Sequence, residues 1–407
     1  MEEKNNKLSS ILQKVLFTCI FLVVLVLAFF IGRLSVKFQI GNSANVLGID
    51  KDTLNQYATL FQVRNEIYKR YDAKIDEDAL FEGAAKGLAY ALGDPYTLYM
   101  NNKEYSDYME SNSGEFVGVG IYISSKDNQV VVTSPIAGGP AEKVGIIEGD
   151  VIYSVDGNLI EGDSEKATNL LTGEKDTTVK VTVCRNGSEY IDYDIKRSVI
   201  KTSSVSGEMV DDGIGYISLS TFDQNVSKDF DSKLKELKNQ GMNGLILDLR
   251  SNGGGYLSEA VKIASEFIPE KETITYTVDK YNKKQVYESV GGVETNLPIV
   301  ILTDKNTASA SEVVTGALKD YNIAVSVGKT TFGKGIVQLP FELASGNGGM
   351  KITVSKYYTP NGDNIHGTGI SPDYDVDLDK DKLGETYDKN NDTQFLKALE
   401  VIKDKVD

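Results

Sequence analysis

Two serines, Ser309 and Ser311, stand just before a helical pattern, and Lys334 occupies a Gly-Lys-Gly turn that follows a strand-like run. The single histidine, His366, lies among glycines further downstream. A serine nucleophile needs a proton acceptor, and where imidazole is scarce a lysine kept neutral by burial is the natural substitute. At a helix N-terminus the first amides are unpaired and carry partial positive charge, so the amide of Ala310 would face developing negative charge. The same residues have a plainer reading. Ser309 or Ser311 would cap the helix, with Glu312 in its first turn, and Lys334 would be a solvated charge in an ordinary turn. The interval between Ser309 and Lys334 fits one helix and one strand that return the chain to the same sheet edge.

Two glycine-rich segments add to this. Asp248-Leu-Arg-Ser-Asn-Gly-Gly-Gly255 follows a buried-looking strand, and its glycines let backbone amides approach a substrate as oxyanion donors. It lacks a Gly-Lys-Ser/Thr ending, so a phosphate-binding loop is poorly supported. The second segment, Phe116 to Ile123, alternates glycine with branched residues. Its Val119, Gly120 and Ile121 could offer amides to a peptide carboxylate, with the following strand accepting an added strand and Leu170 or Leu171 packing beside it.

The elements that must position these residues can be read in outline. Apolar residues recur at helical spacing from Leu54 to Leu92, and Gly93-Asp94-Pro95 ends that helical pair. A compact β-rich unit of about ninety residues follows, with a short helix from Pro140 to Val144, a helical stretch at 167–171 and a strand at 179–185. Strands at 213–222, 245–250, 299–304 and 323–328 then alternate with helices, which indicates an α/β layer with crossover connections. Before all of these, Val15 to Ile31 is an uncharged apolar run long enough to cross a bilayer with its neighbours. Lys4, Lys7 and Lys14 precede it and favour a cytoplasmic N-terminus. A retained anchor is expected, with a cleaved signal peptide as the alternative.

The formal net charge of −16 argues against nucleic acid or an anionic membrane surface as the main partner. The two cysteines, Cys19 and Cys184, are not expected to pair, because Cys19 lies within the apolar run. One further cysteine and one histidine leave no zinc cluster to propose, and no metal or cofactor is expected.

Taken together, GDPYTLYM at 93–100, the PDZ-like segment 114–197, LILDLRSNGGG at 245–255, SASE at 309–312, TFGKGIVQ at 331–338 and YYTPNGDNIHGTGISPD at 357–373 resemble the carboxyl-terminal processing peptidases, or tail-specific proteases. The resemblance spans nearly the whole chain. It implies a multidomain α/β (α+β) protein: an anchor over 1–33, a linker and helical segment over 34–112, a PDZ domain over 113–197, a ClpP/crotonase-like Ser–Lys protease core over 198–380 and a C-terminal helical segment over 381–407. It further implies Ser309 as nucleophile, Lys334 as general base and Gln338 as the residue that orients the lysine. Ala310 and either Gly254 or Gly255 would form the oxyanion hole. Thr307 stands where the family often has serine, and Gly253 where it often has proline. The implied partners are protein or peptide substrates with apolar C-terminal tails, a second copy or more of the chain joined through terminal helices, and an activating adaptor or activation by substrate itself. A catalytically silent tail receptor or a ligand carrier on the same fold are the rival readings.

Overall fold

The computed structural model describes residues 50–292, 296–379 and 388–406. The chain divides into two compact units, residues 1–81 and 82–407. The anchor expected over 15–31 lies outside the described residues, and no described helix is long and apolar enough to cross a membrane.

In the first unit, helix α1 spans Lys51–Arg70, and Asp50 caps it by accepting the Thr53 amide. Helix α2 begins at Glu77 and runs to Tyr90. Glu77 takes a bidentate bond from Arg64. Leu60, Phe61, Val63 and Tyr71 of this unit are exposed.

In the second unit, strand β1 (Leu98–Met100) leads into helix α3 (Asn102–Ser113), which starts with a reciprocal capping box between Asn101 and Glu104. Strand β2 (Glu115–Gly118) ends where Gly120 turns the chain at φ 76°, and β3 (Ile121–Lys126) begins beyond it. The sequence pattern read 116–123 as one strand. The glycine breaks it because its left-handed backbone cannot continue the pleat, so the two halves join different sheets.

Strands β4 (Gln129–Pro135), β5 (Val151–Val155), β6 (Asn158–Leu159), β7 (Thr178–Arg185) and β8 (Glu189–Lys196) complete an antiparallel sheet in the order β3-β4-β5-β7-β8, with β6 on β5. Helices α4 (Pro140–Val144) and α5 (Ser164–Leu171) belong to the same module. Val130, Val132, Ile152, Val181, Val183 and Ile195 form its core. Asp150 is fully buried and takes a bidentate bond from Arg185. Strand β9 (Ser198–Lys201) pairs with β2, so entry to and exit from the module are tied together.

The remaining chain builds the α/β core. Strands β10 (Val205–Asp211), β11 (Ile214–Leu219), helix α6 (Val226–Asn239), β12 (Gly244–Asp248) and helix α7 (Leu257–Ser265) come first. Strands β13 (Thr273–Asp279), β14 (Lys284–Glu288) and β15 (Ile299–Thr303), helix α8 (Ala310–Asp320) and β16 (Ala324–Gly328) follow. Strands β17 (Ile336–Glu342), β18 (Gly349–Tyr358) and β19 (Tyr374–Asp375) and helix α9 (Thr393–Val406) end the chain.

One sheet runs β10-β11-β12-β15-β16-β19, parallel except at its β10 edge. Every residue of β12 and β15 is buried, as expected for central parallel strands covered on both faces. Helices α7 and α8 cover one face and α9 the other, where Phe395, Ala398, Val401 and Ile402 pack on Ile246, Val300 and Leu302. The second sheet, β1-β18-β13-β14 with β17 on β18, is antiparallel. It carries the strand that follows Lys334.

Candidate active site

Ser309 is the N-cap of α8, with φ 56° and ψ −115°. For a serine this backbone is strained, and it persists because the surroundings fix it from several sides. The Ser309 amide donates to Glu312 Oε2 at 2.8 Å, and the Ser309 carbonyl accepts from the Tyr357 hydroxyl at 3.2 Å. Gly254 backs directly onto it: a Cβ there would lie 2.7 Å from the Ala308 oxygen and 2.8 Å from the Ala310 nitrogen, so no larger residue fits.

Glu312 is fully buried and is the organising acceptor of the site. Besides the Ser309 amide, it takes the Thr331 hydroxyl at 2.6 Å, the Gly333 amide at 2.7 Å and the Lys334 amide at 2.9 Å. One carboxylate thus ties the start of α8 to the turn that carries the lysine. The sequence reading placed Glu312 in the first helical turn as a cap partner, which it is. Its second set of partners comes from a turn some twenty residues on, and no local pattern reports that.

Lys334 is partly buried on the approach to β17. Burial pushes its ammonium below the usual lysine range and the neighbouring Lys351 adds to this, against the opposing pull of Glu312 and Asp94. Its Nζ lies 5.0 Å from the centre of the Tyr96 ring, and among the described residues it has no carboxylate partner. Gln338 sits on β17 beside a bulge between Val337 and Gln338, and its side-chain amide donates to the Thr353 hydroxyl at 3.4 Å.

The glycine turn is held by Asn252, which is fully buried. Its side chain donates to the Leu219 carbonyl at 2.8 Å and accepts the Gly254 amide at 2.9 Å. Its own carbonyl accepts the Ala308 amide and the Ser311 hydroxyl, both at 3.0 Å. The Gly254 amide is therefore engaged within the turn. Ser311 is buried and acts as this tether, so of the two candidate serines it is Ser309 that lines the cavity. Thr307 places its hydroxyl on the Leu249 carbonyl at 2.8 Å, the hydroxyl a serine would also supply, and a Cβ at Gly253 would meet open space. Further back, Arg250 joins Asp248 to Asp392, so the turn is bolted to the N-terminal end of α9.

These pieces meet around one cavity of about 680 Å³ whose lining includes Ser309, Ala310, Gly254, Gly255, Lys334 and Gln338. A second concavity, of about 790 Å³, lies on the β3–α5 side of the smaller module and is lined by Val119, Gly120, Ile121, Ile123, Thr168 and Leu171. Leu170 packs against the module's core instead. Strand β3 is an edge of its sheet, with β4 as its partner. Helix α3 borders both concavities: Asp107 and Glu110 line the second, Tyr108 and Asn112 the first.

A fold of this kind, with a peptide-sized groove on one module and a serine at a strained helix start on the other, defines a serine peptidase carrying a PDZ domain. The model of peptidase family S41 matches residues 213–376, that of the PDZ domain residues 117–191, and that of the activating protease CtpB N-terminal domain residues 38–104. The chain is 34% identical over 362 residues to the carboxy-terminal processing protease CtpA of Bacillus subtilis, covering 88% of this chain and 77% of that protein. It is 34% identical over 381 residues to a probable CtpA-like serine protease of Staphylococcus haemolyticus, covering 90% and 75%. A solved structure, a putative S41 protease from Bacteroides fragilis, matches with a TM-score of 0.52 at 18% identity, covering 83% of this chain and 94% of that one, and so supports the fold alone. The chain belongs to the carboxy-terminal processing proteases of peptidase family S41 and is a serine-type peptidase.

Proposed function

We propose that this protein is a membrane-anchored endopeptidase with a ClpP/crotonase-like core on the extracytoplasmic side of the membrane. It cleaves protein substrates captured by their apolar C-terminal tails in the PDZ groove. The observation that carries this reading is the single cavity joining Ser309, at a strained helix start, to a lysine whose ammonium is disfavoured.

Neutral Lys334 takes the Ser309 proton as the hydroxyl oxygen attacks the scissile carbonyl. The oxyanion forms beside the amides of Ala310 and Gly255. Gly255 is preferred over Gly254 because the latter's amide is already given to Asn252. The lysine then protonates the leaving amine, and water, deprotonated by the same lysine, releases the acyl-enzyme. Gln338 orients the lysine from β17.

Lys334 over the Tyr96 ring is read as a resting position, with tail capture or an adaptor bringing it onto Ser309. Helix α3, bordering both concavities, is placed to relay that signal. Self-association through α1 fits the exposed Leu60, Phe61 and Val63, whereas the apolar face of α9 is already used within its own core. The lysines ahead of the apolar run at 15–31 support the anchored topology.

The test is to incubate the full-length enzyme in detergent with an unstructured protein ending in an apolar tail. Wild type is expected to cleave it and Ser309→Ala to leave it intact. Equal cleavage by both would end the reading.

A further inference from the structure

The catalytic cavity contains a second lysine that the mechanism above does not use. Lys351 lies on β18, opposite Pro340 of β17 on one side and Leu98 of β1 on the other, and it lines the same cavity as Ser309 and Lys334. It is partly buried, and among the described residues it forms no ion pair. Its Nζ lies 5.1 Å from the centre of the Tyr108 ring, which steadies an ammonium without neutralising it. A lysine on a surface strand usually finds water or a carboxylate, whereas this one is held in a cleft beside the proposed base.

We propose that Lys351 is a positioning residue that acts through Lys334: as the lysine that keeps its proton in the shared cleft, it opposes a second ammonium there and so holds the base in its proton-accepting form. This rests on the reading of Lys334 as general base.

The groups that face Lys334 make the sign of the effect clear. Glu312 from α8 is the acid that favours the Lys334 ammonium most, and its oxygens are already shared among four donors. Asp94, before β1, is engaged by the Tyr96 amide and the Thr97 hydroxyl. Burial raises the phenols of Tyr96 itself, Tyr357 on β18 and Tyr108 on α3, so they are neutral at working pH. Tyr256, beyond the glycine turn, also lines the cavity. His366, in the loop after β18, is exposed and acts on Asp94. Burial, and then the charge of Lys351, disfavour protonation of Lys334. Burial also works against the Lys351 ammonium, with Asp94 favouring it and the Tyr108 ring beside it. A substrate carboxylate bound at Lys351 would work against this, because it would cancel the charge that keeps Lys334 neutral.

The experiment is the pH profile of kcat/KM for the full-length enzyme on a short quenched-fluorescence peptide, in wild type, Lys351→Met, Lys351→Arg and Lys334→Ala. Removing the charge should move the acidic limb toward alkaline pH by about one unit. Activity would then fall about tenfold below the limb and recover above it. Lys351→Arg should keep the wild-type profile. A limb that stays in place in Lys351→Met, with activity lowered uniformly or with KM raised for acidic peptides alone, overturns the proposal while leaving Lys334 as the base. Retention of activity by Lys334→Ala would instead overturn the Ser–Lys reading beneath it. Thermal melting separates either result from loss of fold.

Discussion

The cavity proposed for catalysis and the PDZ groove are of similar size, yet they are built by opposite means. The groove is an absence of structure: β3 leaves one edge unpaired, Gly120 turns the chain, and apolar residues of β3 and α5 line the space. Recognition of an extended tail needs little more than free backbone groups and an apolar wall. The cavity at Ser309 is over-determined. Ser309 is held in a backbone a serine avoids, Glu312 takes four donors, and Asn252 locks the glycine turn from both ends. Chemistry requires reacting atoms to be placed in advance, so strain and buried polar bonds concentrate there.

The comparison can be tested from its strongest point downward. Ser309→Ala should reduce kcat/KM by at least about a thousandfold in a peptide-cleavage assay, with melting temperature unchanged. Glu312→Gln should lower kcat by about a hundredfold, since a side-chain amide cannot accept all four donors and both Ser309 and the Lys334 turn shift. If activity survives, the site is less fixed than its hydrogen bonds indicate.

On the other side, burial of Asp150 works against its charge, but the Arg185 bond and the Ile147 amide more than compensate and hold its pKa below the usual carboxylate value. Its stabilising contribution is therefore complete above the unfolded-state pKa and lost as pH falls through the lower folded one. Asp150→Asn should destabilise the PDZ module by about 3 kcal/mol, seen as a separate, earlier transition on melting. Cleavage of short peptides should continue under conditions where the catalytic core remains folded. The smallest effect is expected from Thr168→Trp, which fills the groove. KM for tailed proteins should rise about tenfold while kcat on short peptides stays level.

Much of this was legible in the chain. The alternation of strands and helices gave the core layer, and Pro140 to Val144 has the limits its sequence indicates. Three features were not legible. The pattern at 116–123 ran through a break, because alternation does not record which sheet each half joins. Glu312 looked like a cap, because its partners at Thr331, Gly333 and Lys334 are met only through folding. Lys351 carried no signal at all, since a lysine on a strand is ordinary until its neighbours are known.

By itself, then, the sequence determined which side chains could react and which elements would carry them, because residue type and periodicity are local properties. Only the tertiary structure decided that Ser309 faces the cavity while Ser311 tethers the turn, that the Gly254 amide is given to Asn252, and that two lysines share one cleft. Those outcomes depend on register and packing between segments far apart in the chain, where buried polar groups must find partners that no local pattern specifies.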